Sequence, residues 1–308
     1  MKLLIELPTW LGDAVMTTPS IENIANHFNN VEITLIGSLA SIEVLKNHPS
    51  VNKTYILDRK LSKLYKTIVK LESYDIFFTF RGSFRSKFIK LFVIAKKKFQ
   101  FDKTKFPIGH QVEKYNNFVS ESLNINFIAG RLTLHNVEKA INGNKKILGI
   151  NPGASYGNAK QWYPKKFADV AIDLSNNYDI LIFGGQYENN IASDIEKHLI
   201  ANGVDNYQNL AAKLTISELI NKINNLDLFI TGDSGPMHLA AALMIPTVAI
   251  FGPTKDKETS QWMNEKSIIV KQNLDCQPCM KRTCPLKHHN CMNLIKVSDV
   301  LSAAKRIN

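Results

Sequence analysis

Residues 227–254 read DLFITGDSGPMHLAAALMIPTVAIFGPT. The apolar run at 227–230 predicts a strand, and Gly232 and Gly235 then bracket a tight turn. The stretch 236–243 predicts a short apolar helix, Pro246 punctuates its end, and 247–251 predicts a second strand. Strand, turn, helix and strand in succession make the crossover unit of a parallel sheet. Such a turn is also a ready anion site. Backbone N–H groups at Ser234, Gly235 and Met237 are expected to face a negative charge, helped by the helix dipole. Pro236 has no N–H and suits a first helical turn. Asp233 reads either as a cap on that helix or as part of the ligand loop. His238 reads either as a buried, satisfied histidine or as a site residue.

The same alternation continues on both sides of this stretch. Upstream, strands are predicted at 147–151 and 179–183, with helices at 165–176, 189–202 and 216–224. An earlier series has strands at 2–7, 31–36, 53–57 and 75–80, with helices at 18–28, 41–47, 61–71, 83–95 and 111–123. Between the two series, residues 124–146 hold Gly130, Asn142, Gly143 and Asn144, the composition of a linker. The expected class is therefore α/β, with two doubly wound parallel-sheet domains at 1–145 and 146–308. Ligands of such sheets bind beyond the carboxyl ends of the strands, which predicts two facing domains with a cleft between them. The tail at 297–307 reads as a helix of unassigned docking.

Two more glycine-bearing loops follow predicted strands. Leu7-Pro8-Thr9-Trp10-Leu11-Gly12-Asp13-Ala14 ends the first. There Gly12 permits a tight turn, and Asp13 is either a helix N-cap or a general base able to take a proton from a hydroxyl. Asn151-Pro152-Gly153-Ala154-Ser155-Tyr156-Gly157-Asn158-Ala159-Lys160 ends another. Its glycines allow close backbone approach to a phosphate and Lys160 can neutralise one, although the spacing is not that of a P-loop. An ordinary loop with a solvated lysine is the alternative.

Charge separates the halves. The chain of 308 residues carries a net +11. Residues 1–146 hold 22 Lys and Arg against 12 Asp and Glu, whereas 147–308 hold 16 against 15. One half is thus expected to meet an anionic partner. Lys87, Lys90, Lys96, Lys97, Lys98, Lys103 and Lys105 interleave there with phenylalanines, and Arg81 and Arg85 are the candidates for direct carboxylate or phosphate contact. A nucleic-acid partner is not expected, because no groove-reading or RNA-binding pattern is present. No apolar run approaches the ~20 residues of a membrane helix, and the N-terminus does not read as a signal peptide, so a cytoplasmic location is expected. The four cysteines, Cys276, Cys279, Cys284 and Cys291, fall within 16 residues. Their spacing admits a structural zinc, a Cys276–Cys279 pairing or four reduced thiols.

Together LGDAVMTTPSI (11–21), NPGASYGNAKQW (151–162), TGDSGPMHLAAALMIPTVAIFGPT (231–254) and CPLKHHNCM (284–292) resemble the heptosyltransferases of lipopolysaccharide inner-core assembly, glycosyltransferase family 9. The PGASYG and CPLKHHNCM segments stand closest to the type II branch, which adds the second heptose. The resemblance implies the GT-B architecture, an acceptor-binding N-terminal domain and a donor-binding C-terminal one. It implies transfer from ADP-L-glycero-beta-D-manno-heptose with inversion, no required cofactor and no metal in the chemistry. Asp13 matches the family's general base, with Gly12 beside it on the acceptor side, and Lys160 matches a lysine near the donor phosphates. Asp233, Ser234, Gly235, Met237 and His238 match the donor loop, to which Gly153, Ser155 and Tyr156 are added. Glu188 corresponds to an acidic residue holding nucleoside or sugar hydroxyls. The implied acceptor is an anionic lipopolysaccharide core at the inner face of the cytoplasmic membrane. Another family 9 transferase with a different acceptor or nucleotide sugar shares the same donor loop, and so does a nucleotide-sugar-binding protein without catalysis.

Overall fold

The structure is a computed structural model and describes every residue except Arg59, 140–144, 154–155 and Asn308. Ser155, and the Asn142–Asn144 part of the expected linker, therefore lie outside the described residues. Two compact units emerge, Met1–Asn136 and Val137–Asn308. The division falls nine residues before the 145/146 boundary expected from the sequence.

The first unit runs β1 (Lys2–Glu6), α1 (Leu11–Met16), α2 (Thr18–His27), β2 (Glu32–Gly37), α3 (Leu39–Leu45) and β3 (Val51–Ile56), then α4 (Leu61–Ile68), β4 (Tyr74–Thr79), α5 (Phe84–Phe92), β5 (Ala95–Gln100) and α6 (Gln111–Leu123). All strand pairs are parallel, in the order β3-β2-β1-β4-β5. β1 is central and covered on both faces, which is why its run Leu3-Leu4-Ile5 is continuously apolar and fully buried. The helix expected at 83–95 is shorter. α5 stops at Phe92, and the next residues form the edge strand β5. Lys96-Lys97-Lys98 hides that strand from any apolar periodicity, because lysines suit an edge that must stay unpaired on one side.

The second unit runs β6 (Lys146–Asn151), α7 (Pro164–Leu174), β7 (Tyr178–Ile182), α8 (Asn189–Ala201), β8 (Tyr207–Asn209) and α9 (Ile216–Asn224). It continues with β9 (Leu228–Gly232), α10 (Gly235–Ala242), β10 (Thr247–Phe251), α11 (Asp256–Thr259), β11 (Ser267–Lys271), α12 (Asn290–Asn293) and α13 (Val297–Ile307). Its six parallel strands lie in the order β11-β10-β9-β6-β7-β8. β9 and β10 are buried along their whole length. The edge strands β8 and β11 were not anticipated, being short or only half-buried. The tail helix α13 packs against α7, β10 and β11, burying Val300, Ala303 and Ala304 in the second core. The α/β class with two doubly wound parallel sheets is as expected.

Each sheet has one point where the chain reverses its direction of growth. In the first sheet, β2 and β3 add on one side of β1, and the chain then crosses to β4 and β5 on the other. In the second, β7 and β8 add on one side of β6, and β9, β10 and β11 on the other. Loops diverge at such points, leaving a crevice beyond the strand ends. The loops that follow β1 and β4, and those that follow β6 and β9, are the ones that carry the motifs.

Candidate active site

In the first unit the loop after β1 is fixed from behind by α3. Ser38, the N-cap of α3, donates to the Thr9 carbonyl at 2.8 Å, and Ser41 donates to the Pro8 carbonyl. Gly12 is buried in the first turn of α1. The N-cap position of α1 belongs to Trp10, and no side chain caps it. Asp13 sits inside the first turn, so its reading as the helix cap is corrected. It is half-buried, and its charge reaches Tyr115 of α6. The Tyr115 phenol is held well above its ordinary range, first by burial and then by Asp13, with Gln111 and Arg81 acting in the opposite direction. Asp13, Tyr115 and Arg81 thus share one neighbourhood at the β1/β4 reversal.

Beneath them lies a residue the sequence reading passed over. Glu6 ends β1 fully buried and accepts hydrogen bonds from the Thr79 hydroxyl at 2.7 Å, the Ser86 hydroxyl at 3.0 Å and Arg81 Nη1 at 3.3 Å. Burial raises its pKa, while Thr79, Arg81 and Ser86 pull the other way. An acid closing an otherwise apolar strand was the available signal. Arg81 is therefore anchored through its guanidinium at the sheet end. Arg85, in α5, donates to the Asp58 carbonyl, and burial and then the neighbouring Arg81 lower its pKa.

In the second unit the loops after β6, β9 and β10 meet. Lys160 Nζ lies 2.5 Å from Asp233 Oδ2, with side chains only 12% and 5% exposed. The Thr254 hydroxyl donates to the same oxygen at 2.6 Å. Asp233 is thus committed to Lys160 and Thr254, and the N-cap position of α10 is Ser234, so the capping role is corrected. Asn151, the last residue of β6, donates to the hydroxyl oxygens of Thr231 and Ser234, each at 2.9 Å. It ties the β6 and β9 ends together across the reversal.

The amides at the start of α10 divide. Met237 N–H donates to the Ser234 carbonyl at 3.2 Å, so it is not one of the open donors expected there. Among the described residues, the Ser234 and Gly235 N–H groups have no acceptor. His238 is buried in α10. Glu188 lies at the end of a single 3₁₀ turn, Gln186–Glu188, after β7, where its Oε2 accepts from Gly185 N–H at 2.6 Å. Its carboxylate fills the space over Gly153, where a Cβ would come within 2.1 Å of Glu188 Cδ. A larger residue at 153 would push that carboxylate aside.

The cysteine-bearing segment braces the Lys160 loop. Tyr156 donates its hydroxyl to the Met280 carbonyl at 2.8 Å, and its ring lies 4.8 Å from Lys160 Nζ and 5.3 Å from the Arg282 guanidinium. Ala159 N–H donates to the Arg282 carbonyl at 3.0 Å. Gly157 adopts φ +154° where that carbonyl passes. His289 and Arg282 accordingly serve this loop in the second unit, the imidazole lying 3.0 Å from the Ala159 carbonyl oxygen. All four cysteines are free thiols in the structure. Among the described residues, the one group of three His, Cys, Asp or Glu ligand atoms mutually within 4.8 Å is Glu22, His48 and His135, and it includes no thiol. The four thiols share one neighbourhood, with Cys284, Cys279 and Cys276 each acting on the Cys291 thiol.

Residues 109–290 match the profile of glycosyltransferase family 9 (heptosyltransferase). Over its full length the chain is 43% identical to a lipooligosaccharide heptosyltransferase 2 of Campylobacter jejuni, of which it covers 98%. This chain belongs to glycosyltransferase family 9. It is an enzyme, a glycosyltransferase of the heptosyltransferase kind. The E. coli ADP-heptose lps heptosyltransferase II superposes with a TM-score of 0.82 over 100% of this chain and 98% of that one, at 20% identity. The E. coli heptosyltransferase WaaC, solved with ADP, superposes with a TM-score of 0.77 over 100% of both chains, at 14% identity. At those identities the likeness shows the fold, which is the GT-B class expected from the sequence. Among the described residues, no helix of this family 9 enzyme is long and apolar enough to cross a membrane.

Proposed function

We propose that this enzyme moves L-glycero-D-manno-heptose from ADP-L-glycero-beta-D-manno-heptose to the heptose–Kdo inner core of a lipopolysaccharide or lipooligosaccharide, inverting the anomeric centre. The observation that carries the reading is the second reversal point. There a nearly buried ammonium, Lys160, stands beside the open Ser234 and Gly235 amides of α10. That is the countercharge a departing nucleoside diphosphate needs. The full-length likeness to a lipooligosaccharide heptosyltransferase 2 supports the type II step.

In this mechanism an acceptor hydroxyl attacks the heptose C1 from the face opposite the diphosphate, and the Asp13 carboxylate takes its proton. Such assistance contributes about 10²–10⁴-fold. The C1–O bond to the diphosphate breaks as the new glycosidic bond forms, and the leaving ADP gains negative charge. Lys160 and the two amides stabilise it. Asp233 and Thr254 position the ammonium, Tyr156 covers it, and His238 belongs to the same donor loop. Glu188 accepts from sugar or ribose hydroxyls, and Ser155 belongs with Gly153 to the neighbouring loop after β6. Gly12 lets the acceptor approach Asp13, and Arg81 and Arg85 face its phosphates and carboxylates. Because that acceptor is lipid-borne and anionic, the enzyme works at the inner face of the cytoplasmic membrane.

Mass spectrometry of Kdo₂-lipid A carrying zero, one or two heptoses, incubated with ADP-heptose and enzyme, tests this. The expected result is one added heptose on the one-heptose acceptor only. Asp13→Asn is expected to lose it while still binding ADP. Parallel loss of ADP binding and transfer would remove the general-base role. Gain on another acceptor would change the step, and no gain on any acceptor would refute the reading.

A further inference from the structure

Two segments of the first unit hold an unusual charge pattern. Residues 59–71 carry five Lys and Arg, residues 81–98 carry seven, and neither segment has a single Asp or Glu. They supply α4 and α5, whose inner faces pack on one side of the sheet through Leu64, Ile68, Ile89 and Val93. The outer face of α5 carries large apolar side chains where a solvated helix would be polar, and α4 adds exposed Tyr65 among Ser62, Lys63 and Lys66. On α5, Phe84 and Leu91 are 85% and 73% exposed, one turn either side of half-buried Phe88. This is the i, i+4, i+7 spacing of one helical stripe. Phe92 joins it, and its ring meets that of exposed Tyr65 on α4 edge-on at 5.8 Å. Val69 and Ile94 extend the patch at the ends of the two helices. Singly exposed apolar residues are ordinary, but a continuous exposed patch is not. Lys66, Lys70, Lys87 and Lys90 lie among these residues, and among the described residues none has a carboxylate within ion-pair distance.

We propose that the α4–α5 face is the surface by which this enzyme docks on an anionic lipid bilayer, its aromatic and aliphatic side chains entering the headgroup boundary and its lysines meeting lipid phosphates. The proposal rests on the reading that the acceptor is lipid-borne, and it names the surface that brings the enzyme to it. An apolar stripe flanked by lysines is the chemistry of a helix that lies in a membrane interface. A second copy of the chain is disfavoured as occupant, because a twofold contact would set one strongly basic face, where Asp58 is already paired with Lys63, against another. A nucleic acid would meet the lysines but has nothing to gain from Phe84 and Leu91.

Co-sedimentation of the full chain with phosphatidylcholine vesicles, with and without phosphatidylglycerol, tests the surface. Wild type is expected to sediment only with the anionic vesicles and to be released by salt. Lys66→Glu/Lys70→Glu is expected to weaken partitioning by at least about fivefold per lysine. Phe84→Ser/Leu91→Ser is expected to abolish sedimentation while the protein stays folded and monomeric by size-exclusion chromatography. Transfer to a deacylated, water-soluble core acceptor is expected to be unchanged in both variants, whereas transfer to vesicle-embedded acceptor falls. Sedimentation of either variant like wild type overturns the proposal, as does equal binding to uncharged vesicles or a preference for duplex DNA. Vesicle binding lost in the variants with no transfer by any form upholds the docking face and refutes the heptosyl reading instead.

Discussion

Replacing Lys160 separates a structural role from a chemical one. Its ammonium lies 2.5 Å from an Asp233 carboxylate that is only 5% exposed. Lys160→Met leaves that carboxylate buried, with the Thr254 hydroxyl still donating at 2.6 Å. Removing one member of a buried pair costs about 3–5 kcal/mol, and the retained hydrogen bond places the expectation near the lower end, about 3 kcal/mol. Lys160→Met/Asp233→Asn removes both charges at similar volume and is expected to return stability to within about 1 kcal/mol of wild type. Urea unfolding followed by fluorescence reads this in the second unit, where Trp162 is almost fully buried. Transfer is the second readout. If the ammonium only braces the loop, the double variant regains activity along with stability. If it stabilises the departing diphosphate, kcat stays lower by about 10²–10³-fold despite the restored fold. A stable double variant transferring heptose within about threefold of wild type would falsify the electrostatic role.

Three further outcomes follow from other parts of the structure. Gly157→Ala places a Cβ 2.4 Å from the Arg282 carbonyl oxygen at a φ of +154°; the expected loss is about 1–3 kcal/mol, read by thermal unfolding, with ordinary stability refuting the close approach. Burial holds the Cys291 thiol at about 11 rather than 9.0, with Cys284, Cys279 and Cys276 as lesser causes, so its thiolate fraction at neutral pH drops about 100-fold. Ellman titration of native protein is expected to show three readily reacting thiols and one that reacts only after denaturation, whereas four equal rates would contradict the burial. Glu22 is held below its usual 4.5, first by His48 and then, against the desolvation of its own burial, by His135. A lowered folded pKa means the unfolded chain binds the proton more tightly, so this contribution is complete above about pH 4.5 and is lost as pH falls through the folded value. Glu22→Gln is expected to flatten the acid limb of a urea-midpoint profile only modestly, since the group is partly solvated; an unchanged profile would remove Glu22 from the acid response.

Local signals were legible wherever one segment settles its own conformation. The stretch 227–254 announces β9, α10 and β10 because a buried parallel strand must be apolar throughout and the turn needs glycine. α6, α9 and α13 have the bounds their periodicity predicts. Pattern failed where local and tertiary demands differ. β5 is a strand built from three lysines because it lies at a sheet edge. Met237 N–H looks open in a list of helix-start amides but bonds to Ser234 within the turn. Asp13 looks like a cap because it follows Gly12, yet the helix begins two residues before it.

By itself the sequence determined that two parallel sheets form, that glycine-bearing loops end their strands, and that one half is basic. All three depend on residue type and short-range spacing. Only the tertiary structure decided which loops share a reversal point, that Lys160 closes on Asp233 across 73 positions of chain, that Glu6 gathers Thr79, Arg81 and Ser86, and that Tyr65 of α4 and Phe84, Leu91 and Phe92 of α5 turn outward on one basic face. Those juxtapositions are set by strand order, and strand order is a property of the whole chain's packing that no local stretch encodes.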